Sequence, residues 1–100
     1  MRRAARVDAN HKEFITKLRK CKGYSVHDTS RLGDGFPDIV VGAYAKYTVL
    51  VEIKDPKKPS SARKLTEKEI EFKEKTMTNY IVALYPEQVI EYINKLRYSL

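Results

Sequence analysis

The chain has 100 residues, 42% of them hydrophobic, with one cysteine, a formal net charge of +7 and a pI near 9.5. That length holds a single domain, residues 1–100, around one modest core. The lone Cys21 excludes an intrachain disulfide framework. No apolar run nears the ~20 residues of a spanning helix. With no secretory segment either, the expectation is a cytoplasmic protein with no membrane partner. The basic balance favours a polyanionic partner without identifying it.

Residues 1–7 carry Arg2, Arg3 and Arg6 and form a basic arm with no apolar anchor. Two readings stand: a mobile segment contacting phosphates, or a solvated terminus. The spacing of Phe14, Leu18 and Cys21, with Ile15 on the flank, predicts a helix over residues 8–22. Asp8 or Asn10 would cap it, Asn10 and Glu13 are spaced as a capping box, and Gly23 would end it. Tyr24 to Asp28 reads as a strand, in which His27 is more simply a packed or surface residue than a site residue. Gly33 and Gly35 permit a turn or a close backbone approach to a phosphate, and Asp34 between them suits the turn.

Pro37-Asp38-Ile39-Val40-Val41 and Val49-Leu50-Val51-Glu52-Ile53-Lys54 read as a β-hairpin with the Gly42-containing segment as its loop. Residues 55–64 are a loop by composition, with prolines, serines and the cations Lys57, Lys58, Arg63 and Lys64. Thr66 and Glu69 form a second capping box, opening a helix to about residue 76 with Ile70 and Met77 on its apolar face. Tyr80 to Leu84 reads as a buried strand. Pro86 begins a last helix carrying Val89, Ile90, Ile93 and Leu96. The tyrosines are scattered, as core or rim residues are, and do not form a base-stacking platform. The order is α-β-β-β-α-β-α: an α/β (α+β) fold with a mixed four-stranded sheet flanked by helices.

The hairpin carries the chemistry. Side chains alternate along a strand, so Val49, Val51 and Ile53 face a core while Leu50, Glu52 and Lys54 face the other way. Asp38 shares a face with Val40. A suitable register brings two carboxylates and one ammonium to one end of the sheet. Carboxylates on a rigid strand suit Mg²⁺ or Mn²⁺, hard cations that keep coordinated waters. Lys54 would position or help activate water and offset phosphate charge. Taken singly, Glu-x-Lys is an ordinary solvated strand face; the paired Pro-Asp on a neighbouring strand is what raises it.

Pro37-Asp38 followed by Glu52-x-Lys54 resembles the PD-(D/E)xK nuclease signature. Together with Asp8-Ala9-Asn10, Gly35-Phe36, Asp55-Pro56 and Leu65-Thr66, most of the chain resembles the small stand-alone VRR-NUC nucleases, often carried by phages and prophages. The resemblance implies the restriction-endonuclease-like core order, metal-dependent hydrolysis of DNA, commonly branched, and commonly a homodimer; a phage-encoded enzyme would act in the host cytoplasm. It also implies that Glu13, on the first helix, helps complete the metal site, against its reading as a cap or surface residue. Relatives of this type often have Gln where this chain has Glu69, which leaves two roles for Glu69: a further site carboxylate or only the cap partner of Thr66.

The expectation is therefore a Mg²⁺- or Mn²⁺-dependent DNA endonuclease selecting branched DNA by shape. Asp38, Glu52 and the Ile53 backbone carbonyl are the metal ligands and Lys54 is the water-activating residue. Lys57, Lys58, Arg63, Lys64 and the arm residues Arg2 and Arg3 would bind DNA. The alternative is a non-catalytic nucleic-acid-binding domain that keeps the fold.

Overall fold

A computed structural model describes residues 10–99. Its elements are α1 (His11–Arg19), β1 (Tyr24–Asp28), β2 (Ile39–Ala43), β3 (Tyr47–Ile53), a 3₁₀ turn (Ser60–Arg63), α2 (Glu67–Lys75), β4 (Asn79–Ala83) and α3 (Pro86–Tyr98). The sheet order is β1-β2-β3-β4; the first two pairings are antiparallel and β3–β4 is parallel. This is the expected mixed four-stranded sheet in the expected element order. Asp8 and the arm with Arg2 and Arg3 lie outside the described residues.

Alternation in the strands builds the core. Val26, Ile39, Val41, Val49, Val51 and Ile53 are buried with Phe14, Ile15 and Leu18 of α1 and Val89 and Ile93 of α3. Both helices lie on that face of the sheet. Cys21, expected in the core, is half-buried at its rim, its thiol against the Lys17 carbonyl. Among the described residues no helix is long and apolar enough to cross a membrane.

Several local expectations are corrected. Helix α1 is shorter than predicted, ending at Arg19, because the chain tightens through Cys21 N–H to the Leu18 carbonyl and turns at Gly23. Asn10 precedes α1 but makes no side-chain cap. Its backbone is already helical, not in the extended conformation that aims a capping oxygen at the first turn. Its amide instead reaches the Lys54 and Leu84 carbonyls at 3.4 and 3.5 Å.

The hairpin loop is Tyr44 to Lys46, and Gly42 lies inside β2. A Cβ at Gly42 would stand 2.8 Å from Ser25 Oγ, so this glycine makes room across the ladder instead of turning the chain. The turn uses Tyr44 and Ala45 at φ 57° and 55°, a conformation uncommon outside glycine. Tyr44 is held there by the Arg97 guanidinium over its ring at 4.0 Å and by Tyr24 edge-on at 5.8 Å.

Strand β4 is not buried as predicted. It is an edge strand, with only Ala83 buried and Val82 exposed. The loop after β3 contains the 3₁₀ turn. Met77, expected on the apolar face of α2, lies beyond the helix and is 99% exposed. Helix α2 buries none of its residues fully. It rests on the opposite face of the sheet through Phe72, whose ring meets Phe36 at 5.0 Å and Tyr80 at 6.2 Å.

Candidate active site

Ile39 pairs with Val51 across the hairpin. Asp38, one residue earlier, therefore falls opposite Glu52. The end of β2 is fixed from its other side: Thr29 N–H donates to the Asp38 carbonyl at 2.8 Å and the Thr29 hydroxyl to the Pro37 carbonyl at 2.7 Å. Asp38 Oδ2 accepts from Ile53 N–H at 2.7 Å, continuing the ladder with a side chain. In a strand the N–H and C=O of one residue point to the same edge. The Ile53 carbonyl is thus directed toward the Asp38 side. On the other edge, Lys54 N–H donates to the Ala83 carbonyl at 3.0 Å. The central strand is gripped from both sides where its polar residues begin.

Glu52 is buried. Lys54 Nζ lies 3.4 Å from Glu52 Oε2 and 3.2 Å from Glu69 Oε1. Glu52 Oε1 is buried with no hydrogen-bond partner among the described residues. Glu69 arrives from the first turn of α2. The capping box with Thr66 forms as predicted: Glu69 N–H donates to Thr66 Oγ1 at 3.2 Å and Thr66 N–H to Glu69 Oε1 at 2.9 Å. That same oxygen meets Lys54, so the two roles weighed for Glu69, cap and site carboxylate, coexist.

Gly35 sets the approach of α2. Its φ is +81°, and a Cβ there would collide with the Lys68 carbonyl oxygen. Gly35 thus packs against the start of α2, one residue before Glu69, and serves the turn expected of this loop. Asp34 occupies the turn at φ 54°, exposed, with Lys68 Nζ at 3.2 Å.

Three carboxylates therefore gather around one ammonium. Burial raises the Glu52 pKa, and the charges of Asp38 and Glu69 add to it, pushing it from 4.5 to about 9. Burial also raises Asp38, against the hydrogen bonds of the Ile53 backbone and the Glu52 side chain and the nearby His11 and Lys54. For Glu69 burial is outweighed by the Thr66 N–H, Glu52 and Lys54, and its pKa falls. Lys54 is raised: burial opposes its charge, but Glu52 and Glu69 prevail. Without a cation the cluster thus holds its carboxylate protons more tightly than free acids do, while Lys54 stays charged against Glu52 at 3.4 Å.

Glu13 does not join this group. It is exposed and lines a groove of about 320 Å³ with Asn10, Lys17, Asp55, Lys57 and Tyr85. The α1 residue that acts on Asp38 is His11, buried, with Nε2 3.5 Å from Asp28 Oδ1. Tyr80, from β4, also faces the carboxylates, whose charges and burial raise its pKa. Sequence reading missed both. His11 was hidden behind the capping reading of Asn10; the signal for Tyr80 was its alternation with Val82 on a strand expected to be buried. His27 is exposed on β1, in keeping with the simpler reading.

The loop cations divide. Lys57, Lys58 and Lys64 are exposed, whereas Arg63 is half-buried with Nε unpartnered among the described residues. Asp55, buried, anchors the loop by accepting from Lys57 N–H at 2.9 Å.

Among the described residues no set of three or more His, Cys, Asp or Glu side chains is arranged to hold a metal ion by itself. The donor set still fits one kind of ion. Mg²⁺ commonly takes one or two carboxylates and keeps several waters. Asp38, the Ile53 carbonyl and the unpartnered Glu52 Oε1 are oxygen donors of that kind. No protein-family model, curated protein or solved structure matches this chain.

Proposed function

We propose that this chain is a Mg²⁺- or Mn²⁺-dependent DNA nuclease of the PD-(D/E)xK type, in the manner of the VRR-NUC proteins it resembles, acting on branched DNA. The observation that carries the reading is the convergence of Asp38, Glu52 and Lys54 at one sheet end, with a buried carboxylate oxygen lacking any partner. A divalent ion bound there would supply Lewis-acid polarisation of a phosphodiester and a more acidic water. Asp38, Glu52 and the Ile53 carbonyl would hold it. The Lys54 ammonium offsets phosphate charge and orients water, and Glu69 holds Lys54 in place from the side. Hydrolysis adds a water oxygen to phosphorus and breaks one P–O ester bond, releasing an alcohol.

The substrate side is supported by charge. The exposed Lys57, Lys58 and Lys64 follow directly after the site, and Lys17 lines the groove beside Lys57. Phosphate contacts of this kind position a duplex without reading its sequence, which suits recognition by shape. A homodimer would widen this basic surface. Exposed Ile70, Met77 and Val82 offer apolar surface for a second copy to cover. The cell compartment in this reading is the cytoplasm.

A second reading, a non-catalytic nucleic-acid-binding domain, draws on the closure of Lys54 onto Glu52 and Glu69, which neutralises the cluster internally. One experiment separates them: junction, flap, nicked, duplex and single-stranded DNA are incubated with the purified protein and Mg²⁺, Mn²⁺ or chelator. Metal-dependent cleavage, strongest on a branched substrate, is expected. Binding without cleavage under any metal would establish the second reading.

A further inference from the structure

Glu52 Oε1 is not the sole unpaired polar atom at the site. The Tyr80 hydroxyl is also buried without a hydrogen-bond partner among the described residues. Buried polar groups are normally satisfied, so two orphans beside each other need an explanation. The register places the two residues on one face of the sheet. Leu50 pairs with Tyr80 and Glu52 with Val82. Residues two apart share a face, so Tyr80 stands on the Glu52 face one diagonal position away, within reach of an aromatic and a long side chain.

The ring cannot swing to solvent freely, because Phe72 lies against it at 6.2 Å and Phe36 backs Phe72 at 5.0 Å. Burial and the carboxylates of Glu52, Glu69 and Asp38 keep the phenol protonated. It is therefore a held donor on the face of the carboxylates, one of which, Glu52, has an unpartnered acceptor oxygen. One water can satisfy both: its oxygen accepts from Tyr80 and one of its hydrogens goes to Glu52 Oε1.

We propose that Tyr80 is a positioning residue of this site, its hydroxyl holding a water shared with Glu52 Oε1 and so fixing the hydration of a cation bound by the carboxylates. The inference rests on the nuclease reading above. It adds a residue from β4 to a constellation otherwise built on β2, β3 and α2. The water's second lone pair is left for the cation and its second hydrogen for a phosphate oxygen.

Tyr80→Phe removes the hydroxyl and keeps the ring stack. Wild type, Tyr80→Phe and Glu52→Gln are titrated with MnCl₂ by calorimetry without DNA, and the metal-free proteins are melted in urea. The expected result is a urea midpoint close to wild type, since the ring stack is kept and only a water-mediated hydrogen bond is lost. Mn²⁺ affinity should be weakened by about tenfold or more, as for residues behind a metal's direct ligands. Equal Mn²⁺ affinity in wild type and Tyr80→Phe overturns the inference while leaving the nuclease reading intact. A large drop in midpoint also overturns it, because the hydroxyl would then be needed by the fold itself. A wild type that neither binds Mn²⁺ nor cleaves any DNA, with Glu52→Gln indistinguishable from it, rejects the nuclease reading and the inference with it.

Discussion

On one face of the sheet, Val26, Ile39, Val41, Val49, Val51 and Ile53 meet α1 and α3 with almost no exposed surface. On the other, Glu52, Lys54 and Tyr80, with Asp38 at the strand entrance, meet α2, which buries no residue fully. The same strands supply both faces, because alternate residues point opposite ways. The difference teaches where each kind of residue can be held. The dry face lends rigidity to β2 and β3; the polar face uses that rigidity to keep three carboxylates near one ammonium. A carboxylate cluster inside the dry face would pay desolvation with no access for water or cation.

The sharpest way to break this comparison is to exchange the faces' roles by mutation. Asp38→Ala or Glu52→Gln should abolish cleavage while leaving the fold intact, whereas Ile39→Ala, on the dry face, should cost about 2–5 kcal/mol of stability. Circular dichroism, urea melts and single-turnover cleavage of a branched substrate check both halves. A cleaving Glu52→Gln enzyme would sink the site assignment.

Next in size is Lys54. Lys54→Ala should slow turnover strongly with little loss of metal affinity, and Lys54→Arg should rescue it only in part, since a planar fork replaces a compact ammonium. An unchanged single-turnover rate in Lys54→Ala would reduce Lys54 to a neutraliser of Glu52 and Glu69.

The polar face should also be readable in pH. Below about pH 4.5 Glu52 is protonated in both the folded and the unfolded chain. As pH rises from 4.5 toward about 9, the unfolded chain gives up that proton and the folded one keeps it. Metal-free stability should therefore fall across that window. Glu52→Gln should flatten the fall and be the more stable protein at its alkaline end. Urea midpoints measured with chelator across the window test this; parallel curves for the two proteins would show that Glu52 titrates normally.

Two smaller effects refine the margins. Neutralising Lys57, Lys58, Arg63 and Lys64 together should weaken DNA binding and lower the slope of log affinity against log salt by up to about 0.9 per lost phosphate contact. An unchanged slope would remove the loop from the DNA surface. Glu69→Gln should keep cleavage and stay within about 1 kcal/mol of wild type, because an amide oxygen can still accept from Thr66 and Lys54. Glu69→Ala should lose about 1 kcal/mol with the cap, and some activity. A stable but inactive Glu69→Gln would make the carboxylate charge itself part of the site.

Much of this was legible in the sequence for a simple reason: β3 alternates cleanly, so Val49, Val51 and Ile53 declare one face and Glu52 and Lys54 the other. The capping box at Thr66 and Glu69 was equally local. What was not legible depended on groups far apart in the chain. The opposition of Asp38 and Glu52 needed a hairpin register set by Tyr44 and Ala45, residues with no turn signature of their own. Glu13 was placed by helix position alone, and the two-residue offset, about 200° around the helix, puts His11, not Glu13, toward Asp38. The double use of Glu69 followed from a single oxygen accepting twice, which spacing cannot reveal. Tyr80 needed the parallel pairing of β4.

That parallel pairing has a kinetic consequence. The Lys54 N–H is anchored on the Ala83 carbonyl, a contact between parts of the chain joined only through the 3₁₀ turn and α2. Closing such a long loop is slower than zipping a hairpin. The hairpin of β2 and β3 can pair before β4 docks, but Lys54 and Tyr80 take their places only afterwards. The complete constellation is thus a late product of folding, and a chain with only the β2–β3 hairpin formed has yet to acquire the edge strand that finishes the site.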